Sequence, residues 1–282
     1  MQYKDSANLD SSQMQSSSGG SGGKIAVGGI GGLIIVLLAM FLGFDPGALT
    51  GSDQGGPQQT TNPYSECRTG ADIERNRDCR FVAYTNSIQA YWGSAMQGYQ
   101  PTKTHIFTGQ VSTACGTATS QVGPFYCPAD KTIYLDTGFF DQLTTQLGAQ
   151  GGDAAEAYVI AHEYGHHISN LTGMMDQVQQ AGNQTGPNSP AVKLELQADC
   201  YAGAWMANAT KDPNSPIAAI TGDDALRAVD AARAVGDDRI QQQTTGRVDR
   251  ESWTHGSSAQ RQDALARGFN SGDPRECNAF NV

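Results

Sequence analysis

The stretch AYVIAHEYGHH, residues 157–167, decides how the chain is read. An apolar run, Ala157 to Ala161, leads into His162, Glu163, Tyr164, Gly165 and His166. On a helix, residues four apart share a face, so His162 and His166 can aim a ring nitrogen each at one ion. Zinc takes imidazole nitrogen at about 2.0–2.1 Å and needs a third protein ligand plus an open position. Glu163, beside the first histidine, is placed to act as general base toward a metal-activated water. The apolar run buries the helix, where two histidines and a glutamate without partners would be costly. A metal centre gives them partners. His167 lies about 100° round the helix from His166 and is expected to be structural.

The third ligand is sought on the next long helix, in LELQADC, residues 194–200. Glu195 and Asp199 are four apart and flanked by Leu194, Ala198, Ala202 and Trp205, so both carboxylates lie beside a core stripe and need partners. Glu195 as metal ligand and Asp199 as acceptor from the outer nitrogen of a ligand imidazole would satisfy both. No H-x-x-G-x-x-H follows the first motif, which argues against a site of three histidines.

Around these helices the pattern predicts a mostly helical α+β domain with a small antiparallel sheet. Helices are expected over 72–97, 139–147, 153–171, 190–208, 223–243 and 257–269, with Asp153 and Ser257 or Ser258 as N-caps. Strands are expected over 104–111 and 132–136. His105, in the first of these, is expected to be structural.

The chain has 282 residues, 34 of them glycine, and a net charge of −10. An acidic chain lacks the basic footprint that nucleic-acid binding requires, so no nucleic-acid partner is expected. Residues 1–24, rich in Ser, Gly and Gln, read as a disordered segment. Residues 25–43 are apolar and uncharged; at ~1.5 Å per residue they would span roughly 28 Å as one transmembrane helix. The run is longer than a signal-peptide core and ends without an A-x-A site, which favours an uncleaved anchor. Lys4 and Lys24 precede it and Asp45 and Asp53 follow it, so the expected orientation puts the N-terminus in the cytoplasm. The domain, residues 64–282, would then lie outside the cytoplasmic membrane on a flexible linker, residues 44–63.

The cysteines fit such an oxidising location. All six, Cys67, Cys79, Cys115, Cys127, Cys200 and Cys277, follow the apolar segment. Six cysteines allow fifteen pairings. Closeness along the chain favours Cys67–Cys79 and Cys115–Cys127, leaving Cys200–Cys277. A thiolate metal site is disfavoured because no C-x-x-C pair occurs.

The pairing of His162-Glu163-x-x-His166 with Glu195-x-x-x-Asp199 resembles the gluzincin metallopeptidases. With the strings CGTATSQVGPFYCPADKTIYLD (115–136), AHEYGHHISN (161–170), LELQADCYAGAW (194–205) and WTHGSSAQR (253–261), the chain resembles the putative neutral zinc metallopeptidase family, the YpfJ-like group of bacterial membrane-anchored proteins. The resemblance covers roughly residues 67–280. It implies a zincin-like fold, one zinc ion per chain held by His162, His166 and Glu195, and Glu163 as general base. It also implies that Ile133, Tyr134 and Leu135 form the edge strand on which zincins lay an extended peptide.

The tetrahedral intermediate of such a hydrolysis needs a donor opposite the metal. His255, in WTHG on a loop before a helix, is the first candidate, with Tyr164 and Arg261 as further options. The expected function is therefore a membrane-anchored zinc endopeptidase acting on a peptide or protein substrate. Two alternatives are a catalytically silent, zinc-stabilised scaffold at the cell surface and a hydrolase of cell-wall amide bonds.

Overall fold

The computed structural model describes residues 1–18 and 60–280. A five-stranded sheet and a group of long helices share one apolar core. The sheet runs β3 (Thr60–Thr61), β2 (Met14–Ser18), β4 (Lys103–Thr108), β8 (Thr132–Leu135) and β7 (Phe125–Cys127). Its centre is parallel, β2 to β4 and β4 to β8, and its two outer pairs are antiparallel. The sheet is therefore mixed, not antiparallel as expected. A parallel pair joins strands distant in sequence, which no local pattern announces. β5 (Gln110–Thr113) and β6 (Gly116–Thr119) form a separate hairpin, whose loop end is tied to β7 through Cys115–Cys127. β1 (Gln2–Tyr3) pairs with β9 (Ile217–Ala219).

Two expectations about the N-terminal part are corrected. Residues 1–18, read as the start of a disordered segment, are built into the domain. Met14 and Leu9 are buried in the main core, and Ser17 hydrogen-bonds His105 Nε2 at 2.8 Å. The strand MQSSS carries no apolar alternation; its place is set by parallel pairing with β4, which no local pattern announces. The transmembrane helix over 25–43 lies outside the described residues, as do residues 44–59 of the expected linker. Among the described residues, no helix is long and apolar enough to cross a membrane. Moreover, β2, which precedes that segment, is hydrogen-bonded between β3 and β4, which follow it. Strands of one sheet cannot be held on opposite sides of a bilayer, so the single-pass arrangement, with a cytoplasmic N-terminus and an external domain, is overturned.

Nine α-helices occur among the described residues: α1 (Asp72–Arg75), α2 (Cys79–Ala95), α3 (Gly138–Thr145), α4 (Asp153–Leu171), α5 (Met174–Ala181), α6 (Pro190–Asn208), α7 (Gly222–Ala234), α8 (Asp237–Thr245) and α9 (Ser258–Ser271). α6 starts on Ser189, whose side chain accepts from Val192 N, with Pro190 in the first turn. α9 starts on a capping box of Ser257 and Gln260. Asp153 is the first residue of α4, not its cap, which is Gly152. The helix expected over 72–97 is two, interrupted at Asn76, whose backbone is extended. That expected over 223–243 is also two, broken at Gly236, where any Cβ would fall 2.3 Å from Ser258 N.

α4 and α6 are the helices that matter for the site, and a missing side chain lets them touch. A Cβ on Gly165 would lie 2.7 Å from Ala198 Cα. α6 packs in turn on α9, where a Cβ on Gly268 would meet Cys200 O at 1.9 Å and one on Gly203 would meet Leu265 O at 2.1 Å. The Cys200–Cys277 disulfide ties α6 to the C-terminal segment beyond α9, and Cys67–Cys79 joins the turn before α1 to the start of α2. All three disulfides pair as proximity along the chain suggested.

The place of residues 1–18 in the fold can be checked by one core truncation. Met14, 2% exposed, should cost about 2–5 kcal/mol when replaced by alanine. Denaturant unfolding of Met14→Ala measures this; a loss below about 0.5 kcal/mol, the ordinary range for a surface position, would put the segment outside the fold.

Candidate metal centre

The helical register of α4 sets His162 and His166 one above the other, and α6 presents Glu195 and Asp199 opposite them. Because Gly165 and Ala198 let the backbones approach, the side chains meet. His162 Nε2 and His166 Nε2 are 3.1 Å apart. Glu195 completes the triangle, with Oε2 at 3.2 Å from His162 Nε2 and Oε1 at 3.4 Å from His166 Nε2. All three residues are buried, and their ligand atoms lie within 4.8 Å of one another. Ligand atoms at about 2.0–2.1 Å from a tetrahedral zinc stand about 3.3–3.4 Å from one another, so this triangle is the size of one face of a zinc site.

The hydrogen-bond geometry agrees with that fit. Asp199 Oδ1 lies 2.8 Å from His162 Nδ1, so that nitrogen donates and Nε2 keeps its lone pair for the centre of the triangle. Two nitrogens and a carboxylate oxygen are the donor set that zinc accepts. With no cation present, burial works against a charge on His162 but Asp199 and Glu195 outweigh it and push its pKa up to about 10, so a cation at the centre would have to displace the Nε2 proton. For His166 burial prevails and pushes it down to about 4. Burial works against the Glu195 charge too, but His166 and His162 hold its carboxyl well below the usual range. His166 Nδ1 is buried with no hydrogen-bond partner among the described residues.

The other residues named from sequence divide between this cleft and the core. Glu163 and His255 line the cleft beside the triangle. Asp237, the residue sequence reasoning missed, holds His255: its Oδ2 accepts from the backbone nitrogens of Thr254, His255 and Gly256, and Oδ1 lies 3.2 Å from His255 Nδ1. The signal was Gly236, which breaks the helix so that Asp237 starts a new one facing the WTHG loop. Tyr164, considered as an oxyanion donor, turns away and shares a hydrogen bond with Thr104 on β4 at 3.1 Å. Arg261 is committed to Asp199 through two hydrogen bonds of 2.8 and 3.0 Å. His167 bonds Tyr126 and Gln100 O, and His105 bonds Ser17.

Ile133, Tyr134 and Leu135 do not form an edge. β8 is paired on both sides, parallel to β4 and antiparallel to β7. The edge is β7, and its Phe125 and Tyr126 line the cleft. Three residues between Pro124 and Pro128 gave β7 too short a pattern to read as a strand.

Asp199→Asn exchanges a charged acceptor for an amide and should weaken Zn²⁺ binding by about 10–100-fold, measured by competition with a chromophoric chelator. Unchanged affinity would mean that Asp199 does not orient His162.

The profile of the family described as putative neutral zinc metallopeptidase matches residues 1–280. An uncharacterized protein of Mycobacterium tuberculosis is 48% identical over 252 residues, covering 86% of this chain and 85% of its own length. The uncharacterized protein YpfJ of Escherichia coli is 40% identical over 275 residues, covering 94% of this chain and 91% of its own. No solved structure matches. A match over nearly the whole chain and a buried His-His-Glu triangle agree, and the chain belongs to the putative neutral zinc metallopeptidase family.

Proposed function

We propose that the chain is a zinc-dependent endopeptidase in which His162, His166 and Glu195 hold one zinc ion. The observation that carries this reading is the convergence of the two Nε2 atoms and the Glu195 carboxylate, with Asp199 behind His162. When bound, zinc supplies a Lewis acid that polarises the scissile carbonyl and makes water more acidic. Glu163, in the same cleft, takes a proton from the attacking water and returns it to the leaving amine. Burial pushes its carboxyl up to about 7, with Glu195 adding to the rise and His162 opposing it. A base of that strength suits neutral pH.

His255 donates a hydrogen bond to the carbonyl oxygen as it gains charge. Burial opposes a charge on His255, but Asp237 outweighs it and raises its pKa, which favours the donating form. An extended substrate adds to the sheet along the β7 edge, with main-chain pairing fixing its register. Phe125, Phe139, Val159, Met175 and Val235 make the cleft walls apolar, which suits peptides with apolar side chains near the cleaved bond.

The test is hydrolysis of an unfolded-protein digest library by the zinc-loaded full-length chain, with products identified by mass spectrometry. Glu163→Gln should keep wild-type zinc content and lower the rate by about 10²–10⁴-fold. His255→Ala should lower it by about 10²–10³-fold. Glu163 works only when deprotonated, so the rate should fall as pH drops through its range; a bound cation lowers that range, which places the acid limb at or below about pH 7. A chain that holds zinc yet cleaves neither peptides nor muropeptides would be a zinc-stabilised scaffold. Cleavage of muropeptides alone would make it a cell-wall amide hydrolase.

A further inference from the structure

Arg261 is a buried charged residue beside the triangle that the proposed chemistry leaves unused. It comes from α9, is 4% exposed, and reaches across to α6 and α4. Its Nε donates to Asp199 Oδ2 at 2.8 Å and its Nη2 to Asp199 Oδ1 at 3.0 Å, the two-pronged grip that only a guanidinium offers. Nη2 also lies 3.2 Å from Tyr158 OH, and Nη1 lies 3.3 Å from Val235 O. Tyr158 OH donates to the same Asp199 Oδ1 at 2.6 Å. Asp199 Oδ1 thus receives Tyr158, Arg261 and His162 together.

We infer that Arg261 is a positioning residue for the metal, acting on His162 through Asp199; its Nη2 also stands 3.4 Å from His162 Nδ1, but two donors face each other there, so the orienting bond is the one to the carboxylate. Three observations lead there. First, the carboxylate has no freedom: Arg261 fixes both of its oxygens, so the direction in which it accepts from His162 Nδ1 is set from α9. Second, charge closes in pairs. Arg261 offsets Asp199, which leaves the two remaining carboxylates of the cleft, Glu163 and Glu195, to balance a divalent cation. Without Arg261 a buried, unpaired Asp199 would face the same ligand, and an isolated buried charge is expensive. Third, His166 Nδ1 has no partner among the described residues, so the outer hold on the histidine pair is concentrated on His162. The inference rests on the metal site of the proposed function but not on peptide hydrolysis.

The experiment reads metal affinity on the full-length chain, with Zn²⁺ in chelator competition and Co²⁺ absorption as a report on ligand geometry. Arg261→Met should weaken Zn²⁺ by about 10–100-fold, the range for losing an outer partner of a metal ligand. The double variant with Asp199→Asn should bind no more weakly than Asp199→Asn alone, because both changes break one chain of contacts. Arg261→Lys keeps the charge without the fork and should also lose affinity, with a shifted Co²⁺ spectrum; it serves if Arg261→Met shows no cooperative unfolding transition. Wild-type affinity and spectrum in either single variant would overturn the inference. So would losses that multiply in the double variant, or a fall in kcat with Zn²⁺ affinity intact, which would make Arg261 a direct participant. A chain that binds Zn²⁺ as described but cleaves nothing would sink the peptidase reading and leave this one standing.

Discussion

The contact between Gly165 and Ala198 governs the rest of the structure. Helices that pack through ordinary side chains keep their axes about 8–10 Å apart. Where one partner is glycine, the backbones approach more closely, and here the residues next to the contact are the ones that matter. His166 follows Gly165 and Asp199 follows Ala198, with His162 and Glu195 one turn before each. Nitrogens and carboxylate oxygens therefore meet at 2.8–3.4 Å. A side chain at 165 would wedge the helices apart and dissolve the triangle before any ligand was altered.

Such a cluster is tolerable in a core only if charges cancel and donors find acceptors. The molecule handles this by layers. Asp199 is answered by Arg261 and Tyr158, His255 by Asp237, and Glu195 faces the two imidazoles. Apolar residues of α2, α4 and α6, including Trp92, Tyr158 and Trp205, close the core around them. The cleft wall is where this packing opens beside the triangle, and Glu163 stands there.

How much of this could be read from the chain follows from how local each feature is. His162, Glu163 and His166 sit within five residues of one helix, and Glu195 with Asp199 within five of another, so helical periodicity alone exposed both halves. Each disulfide joined the cysteines nearest in order. What failed was non-local. The polar strand Met14–Ser18 is a strand because β4, some ninety residues on, pairs with it, and nothing in MQSSS says so. β8 was expected to be an edge from the family resemblance, and β7, which covers it, is three residues long with no readable pattern of its own. Asp237 was hidden inside an apparently continuous helix until the Gly236 break showed which way it faced.

The tie between α6 and the C-terminal region also sets an order of assembly. His162, His166, Glu195 and Asp199 all leave the ribosome before Arg261, and Cys277 comes later still. Contacts between such distant stretches form only after a long loop has closed. Until α9 docks, the Asp199 carboxylate has no guanidinium and Cys200 has no partner, so a nascent chain carries the ligands without the geometry that makes them a site. The arrangement of the triangle is thus complete only once α9 has docked on α6.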